Sequence, residues 1–152
     1  MAEAQHAGEA LEMTEDFTRQ RVLKFLKTFY SGNVEDALSY CSDDIDFVAT
    51  APIDIFPHMG HRRGKAQVKE MWDAIHTRYS SMRYEVPIIV VEGDKVAVHI
   101  SVSFRKSSND RVVHFDIAAF YALHESKIVQ VREIMDTYDL VQQVLERDLP
   151  AR

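Results

Sequence analysis

"RYEVPIIVVEGDKVAVHISVSFRKSSNDRVVHFDIAAFYALHESKIVQVREIMD", Arg83 to Asp136, is the stretch whose reading decides the fold. Four runs rich in Val, Ile, Phe and Tyr occupy 83–92, 95–105, 111–123 and 127–136. The separators between them, "GD", "KSSND" and "HES", have the length and composition of hairpin turns. The stretch therefore predicts an antiparallel meander of four strands. Within its second half, Asp116, Glu133 and Asp136 stand among apolar neighbours. A buried carboxylate without a partner is costly, so these groups either face water or line a cavity.

Upstream of the meander the period changes from two to that of a helix. From Thr14, the residues Phe17, Val22, Phe25, Leu26, Phe29 and Tyr30 share one stripe, opposite Arg, Lys and Gln. Gly32 stops this helix, and Asn33 has the chemistry of an N-cap for a short second helix carrying Val34, Ala37, Leu38 and Cys41. "IDFVAT", 45–50, alternates as a strand. "APIDIFPHMGHRRG", 51–64, holds two prolines and two glycines and reads as a loop. A third helix presents Val68, Met71, Trp72, Ile75 and Tyr79, and a last one runs from Thr137 to about Arg147.

The order predicts an α+β fold: a curved, cone-shaped antiparallel sheet, three N-terminal helices on its concave face, and a short C-terminal helix. Such a cone opens between helices and sheet, a natural small-molecule site. One domain over 14–149 is expected, with 1–13 frayed or disordered because that segment is small, polar and acidic. Apolar groups left on the convex face predict a homodimer through that face.

Composition narrows the function classes. A chain of 152 residues with 46% hydrophobic and 28% charged content is an ordinary globular domain. The net charge of −6 argues against nucleic acid, which calls for clustered cations. The longest apolar run, "PIIVV" at 87–91, is too short to span a bilayer, and no signal-peptide pattern opens the sequence, so a cytoplasmic protein is expected. Cys41 is the single cysteine, which excludes an intramolecular disulfide and a cysteine-based zinc site. With no phosphate-cradling glycine loop, dinucleotide fingerprint or nucleophile elbow, no cofactor and no covalent catalysis are expected.

In "FLKTFYSGNVEDALSYCSDDIDF", "GHRRGKAQVKEMW" and "SKIVQVREIMDTYDLVQQ", and in the order of its elements, the chain resembles the nuclear transport factor 2-like superfamily. That group includes ketosteroid isomerase, SnoaL-type polyketide cyclases and limonene epoxide hydrolase. The resemblance covers about 14–145. It implies that the isomerase base falls at Ala49 and the two oxyanion-hole donors at Phe25 and Ala118. None of these side chains can take or donate a proton, so the chain is not a ketosteroid isomerase.

The resemblance also implies that Ala118 faces the cavity, and with it His114, Asp116 and Phe120 by the period of two. Periodicity alone leaves the opposite register open, with Phe115, Ile117, Ala119 and Tyr121 as core. On the neighbouring strand Val131, Glu133 and Met135 fall on cavity positions. "VRE", ending at Glu133, is similar to the catalytic "WRD" of epoxide hydrolases. Asp136 falls at the acid/base Asp of the cyclases, with Gln143 at their helix Gln. Candidate catalytic residues are thus Asp116, His114, Glu133 and Asp136. The dull alternatives are an ion pair of Glu133 with Arg132 and N-capping by Asp136.

Phe25, Phe29, Tyr30, Phe56, Trp72, Phe120 and Met135 are the candidate ligand-binding walls. His58 and His61 lie in the loop over the expected mouth, but two histidines without a third ligand are a weak metal signal, and no metal is expected. Arg62 and Arg63 can admit a carboxylate, so the expected ligand is a small apolar or carboxylate-bearing molecule.

Overall fold

The computed structural model describes residues 1–146. The elements run α1 (Ala2–Tyr30), α2 (Val34–Ser39), β1 (Cys41–Ala49), β2 (His61–Arg63), α3 (Gly64–Arg78), β3 (Tyr79–Glu92), β4 (Lys95–Lys106), β5 (Val112–His124), β6 (Lys127–Met135) and α4 (Thr137–Val144). The expected end of the last helix at Arg147 and the domain boundary at 149 lie outside the described residues.

Six strands form one sheet in the order β2-β1-β6-β5-β4-β3. The meander from β3 to β6 is antiparallel throughout, as are β1 and β2. The exception is β1, which runs parallel to β6, a pairing that the long connection through α3 and β3–β5 permits. The helices cover the concave face, so the architecture is the α+β cone that the pattern of periods predicts.

Local chemistry explains most boundaries. The Asn33 side chain accepts from Asp36 N and caps α2. The β5–β6 hairpin turns on Glu125 and Ser126, both at positive φ, as a two-residue primed turn requires. Pro87 lies on β3, an edge strand, where a missing N–H breaks no inner ladder, and the register shifts beside it. Strand β2 lies inside the stretch that composition assigned to a loop; its three residues pair with Asp46–Val48.

The core joins one stripe of each helix to the inner face of the sheet. Helix α1 contributes Val22, Phe25 and Leu26, α3 contributes Val68, Met71 and Trp72, and the sheet contributes Ile45, Ile100, Val131 and their neighbours. Cys41 is buried here, and burial pushes its thiol up to about 12. Phe17, placed in this stripe by the period, is exposed instead. Helix α1 also begins twelve residues before the expected Thr14, where fraying was predicted. The Ala, Glu, Gln, Leu and Met of 2–13 are good helix formers, and propensity carries the helix on without tertiary support.

The C-terminal helix is tied to the sheet by polar bonds. Asp136 caps α4, accepting from Asp139 N at 3.1 Å. Gln143 bonds the main chain of His114 twice: its Oε1 accepts from His114 N at 2.8 Å, and its Nε2 donates to His114 O at 2.7 Å. Lys106 donates to Val144 O and pairs with Glu146, placing a cation at the C-terminal end of α4. The convex face is open. Its cross-strand rows set Val90, Ala97 and Phe120 side by side, and next to them Ile88, Ala118 and Ile134. No helix among the described residues is long and apolar enough to cross a membrane.

Candidate functional site

Between α1, α3, the 50–60 loop and the concave sheet lies a cavity of about 60 Å³, room for a few water molecules. Phe29, Tyr30 and Trp72 form its helical wall, Phe56, His58 and Met59 its loop wall. The sheet and α4 supply Phe104, Ile117, Met135 and Leu140. Met59, Met71, Met82 and Met135 all reach it, and unbranched thioethers let such a wall change shape at low cost.

One carboxylate enters this apolar space. Glu133, half-buried, lines the cavity, and its side chain has no hydrogen bond or ion pair among the described residues. Burial pushes its carboxyl up to about 7. Two phenols lie near it. Burial raises Tyr30 and Tyr121 well above the ordinary tyrosine range, and the charge of Glu133 adds to both shifts. Tyr30 is held in place by stacking on Tyr84, with ring centroids 4.5 Å apart.

Arg132 does not pair with Glu133. Alternation turns it to the other face, where its Nη2 donates to Asp46 Oδ2 at 2.7 Å and its Nη1 to Asp46 O. Asp46 also pairs with His61 and stands 3.5 Å from Arg63, and the bonds from His61 and Arg132 hold its carboxyl down at about 2. His58 and His61 therefore diverge, one into the cavity and one to Asp46. Burial lowers the pKa of His58, and the charges of Arg78 and Arg62 lower it further.

Asp116, His114 and Phe120 face away from the cavity, which corrects their expected orientation. Asp116 is 66% exposed and lies 3.4 Å from His99, while His114 Nδ1 is 2.7 Å from Ser103 Oγ on the same outer face. Phe120 is 48% exposed. Ala118, taken from the resemblance as a cavity position, also points outward. The physical reason is that the alternate set, Val113, Ile117, Ala119, Tyr121 and Leu123, buries more apolar surface.

Asp136 is turned to capping duty at the strand end rather than into the cavity. Of the expected walls, Phe29, Tyr30, Phe56, Trp72 and Met135 line the cavity. Phe25 does not; it sits behind them, packed on Phe29, Trp72 and Tyr121. Arg62, read as a possible ligand contact, is engaged with the loop itself, donating to His58 O and Pro57 O. Arg63 is exposed beside Asp46, away from the cavity.

Sequence reasoning missed Tyr121, Met59, Met82 and Arg78. Tyr121 belonged to the register set aside, and Arg78 ends α3 three residues after Ile75, where a helix row leads to the cavity rim.

Comparison with known proteins agrees with this architecture. A protein from Rhodopseudomonas palustris, provisionally described as an isomerase, is 26% identical, with 86% of this chain and 97% of that one covered at a TM-score of 0.76. TerC, crystallised with polyporic acid, is 19% identical over 85% of this chain and 98% of its own, also at 0.76. An LEH-like epoxide hydrolase of M. tuberculosis is 14% identical over 87% and 92%, with a TM-score of 0.71. No curated protein matches the chain. The model of the SnoaL-like domain matches residues 22–131, most of the cone, and the chain accordingly belongs to the SnoaL-like domain family.

Proposed function

We propose that the protein is a cofactor-independent acid–base enzyme in which Glu133 moves a proton on a small, largely apolar molecule held in the cone. The observation that carries this reading is the carboxyl of Glu133, unpaired among the described residues in an apolar cavity and pushed up to about 7. A group with that pKa is present in both forms near neutral pH. Protonated, it donates to a carbonyl or epoxide oxygen; ionised, it accepts a proton from carbon or from an attacking water. Tyr30 lines the same cavity near Glu133, and its hydroxyl is the candidate donor to an oxygen that gains negative charge there. Isomerisation, cyclisation, dehydration and epoxide opening all suit this pair. Relatives described as an epoxide hydrolase and, provisionally, an isomerase add support.

A ligand larger than a few atoms must displace part of the wall, and the methionines and the 50–60 loop are its yielding components. The narrowness of the cavity favours a second reading, a binding module without turnover. A panel of small epoxides and unsaturated ketones tests between them. We expect Glu133→Gln to fold and to lower turnover by about a thousandfold. Carboxyl NMR should show Glu133 titrating near 7, and titration near the ordinary glutamate value overturns the enzymatic reading. We also propose that two copies join through the convex face, for which the exposed Ile88, Val90, Phe120 and Ile134 are the support.

A further inference from the structure

The charged groups around the cavity differ in sign between its sheet wall and its loop wall. Glu133 enters from β6; burial raises its carboxyl, and no cation among the described residues lowers it. On the loop side the charged groups are basic. His58 lines the cavity there, and the guanidinium of Arg78 lies over the ring of Phe56, another lining residue, with Cζ 4.9 Å from the centroid. Arg62 bonds the carbonyl of His58, and the charges of Arg78 and Arg62 add to the lowering of the imidazole pKa that burial begins.

These basic groups are not equally committed. Arg62 is held by the carbonyls of Pro57 and His58 and reaches toward Glu70 at 3.9 Å. Arg78 has no carboxylate partner and no side-chain hydrogen bond among the described residues; its guanidinium rests on the face of Phe56. Its five N–H donors remain for another group. A guanidinium resting on an aromatic plane keeps its edge free and fixed in direction, which suits a planar oxyanion. Ile75, three residues earlier in α3, Tyr79, the first residue of β3, and Phe56 beneath the guanidinium all line the cavity, which sets Arg78 just behind its wall.

We propose that the ligand of the cone is an amphipathic carboxylate, its anionic end bound by Arg78 at the rim beside His58 and its apolar body directed inward to Glu133. This inference rests on the cone being a ligand site, and it narrows the substrate class to molecules whose carboxylate is remote from the reacting atom. A carboxylate set against Glu133 would meet a like charge instead, so the orientation is fixed by repulsion as well as attraction.

Trp72 is the one tryptophan of the chain and lines the cavity, so its emission reports occupancy directly. The probes are 4-phenylbutyrate and its neutral isostere 4-phenylbutyramide, titrated at pH 7.5. The acid should bind at least tenfold more tightly than the amide. Arg78→Gln should remove that preference while leaving amide binding unchanged, and Arg78→Lys, which keeps the charge but not the planar fork, should retain part of it. Equal binding of the two probes to the native protein, no Trp72 response to either, or a preference that survives Arg78→Gln overturns the proposal. Glu133→Gln should keep the preference intact. An ordinary pKa for Glu133 together with a retained acid preference would sink the catalytic reading and leave this one standing.

Discussion

Among the described residues no cation opposes the cost of burying Glu133, and that cost carries a sign. With its carboxyl raised from 4.5 to about 7, the folded chain holds a proton that the unfolded chain releases across that interval. Stability is therefore whole below the lower value, falls as pH rises through the window, and levels off above 7. The drop is on the order of 3 kcal/mol at most. Glu133→Gln has no proton to lose, so it should match the native protein in urea denaturation at pH 4.5 and exceed it by a few kcal/mol at pH 8. A mutant no more stable at pH 8 would mean that the carboxylate is well solvated. This excess is the expected trade of stability for activity at a working site.

The β5–β6 hairpin shows where a strand pattern stops being informative. Its turn pairs His124 with Lys127, and with no irregularity that pairing would set Glu133 opposite Ala118. The outer set of β5, with Asp116, would then share the face of Glu133, as the sequence reading had it. The register shifts between Ala122 and Leu123, leaving Val129 as an extra residue, and Glu133 pairs with Ala119 instead. One residue of slip turns every side chain over. Nothing in "KIVQV" announces the bulge, so the carboxylate of β6 was legible and its neighbours across the hairpin were not. Cap chemistry, by contrast, is local, and Asn33 and Asp136 both cap where their type suggests. Asp136→Ala should cost about 1 kcal/mol in thermal unfolding while leaving turnover intact. A loss of turnover out of proportion to that small destabilisation would return Asp136 to the chemistry.

For the molecule as a whole, the succession of periods was enough to place helices before a meander and so to predict the cone. The content of the cone was harder to read, because wall and core use the same aromatic residues: Phe25 and Phe29 sit one turn apart, yet only Phe29 reaches the cavity. The outer face bears on assembly. Phe120→Asp puts two new charges into a two-fold interface, and sedimentation at micromolar concentration should show a dimer for the native protein and a monomer for the mutant. A native monomer would refute the association.

The sheet's borders have their own consequence. One margin is the three-residue β2, and the other is interrupted at Pro87. Neither offers the long uninterrupted row of free amides and carbonyls on which a foreign chain could template itself. Ribbon-like polymerisation is thereby discouraged at both flanks, and copies that meet must do so broadside.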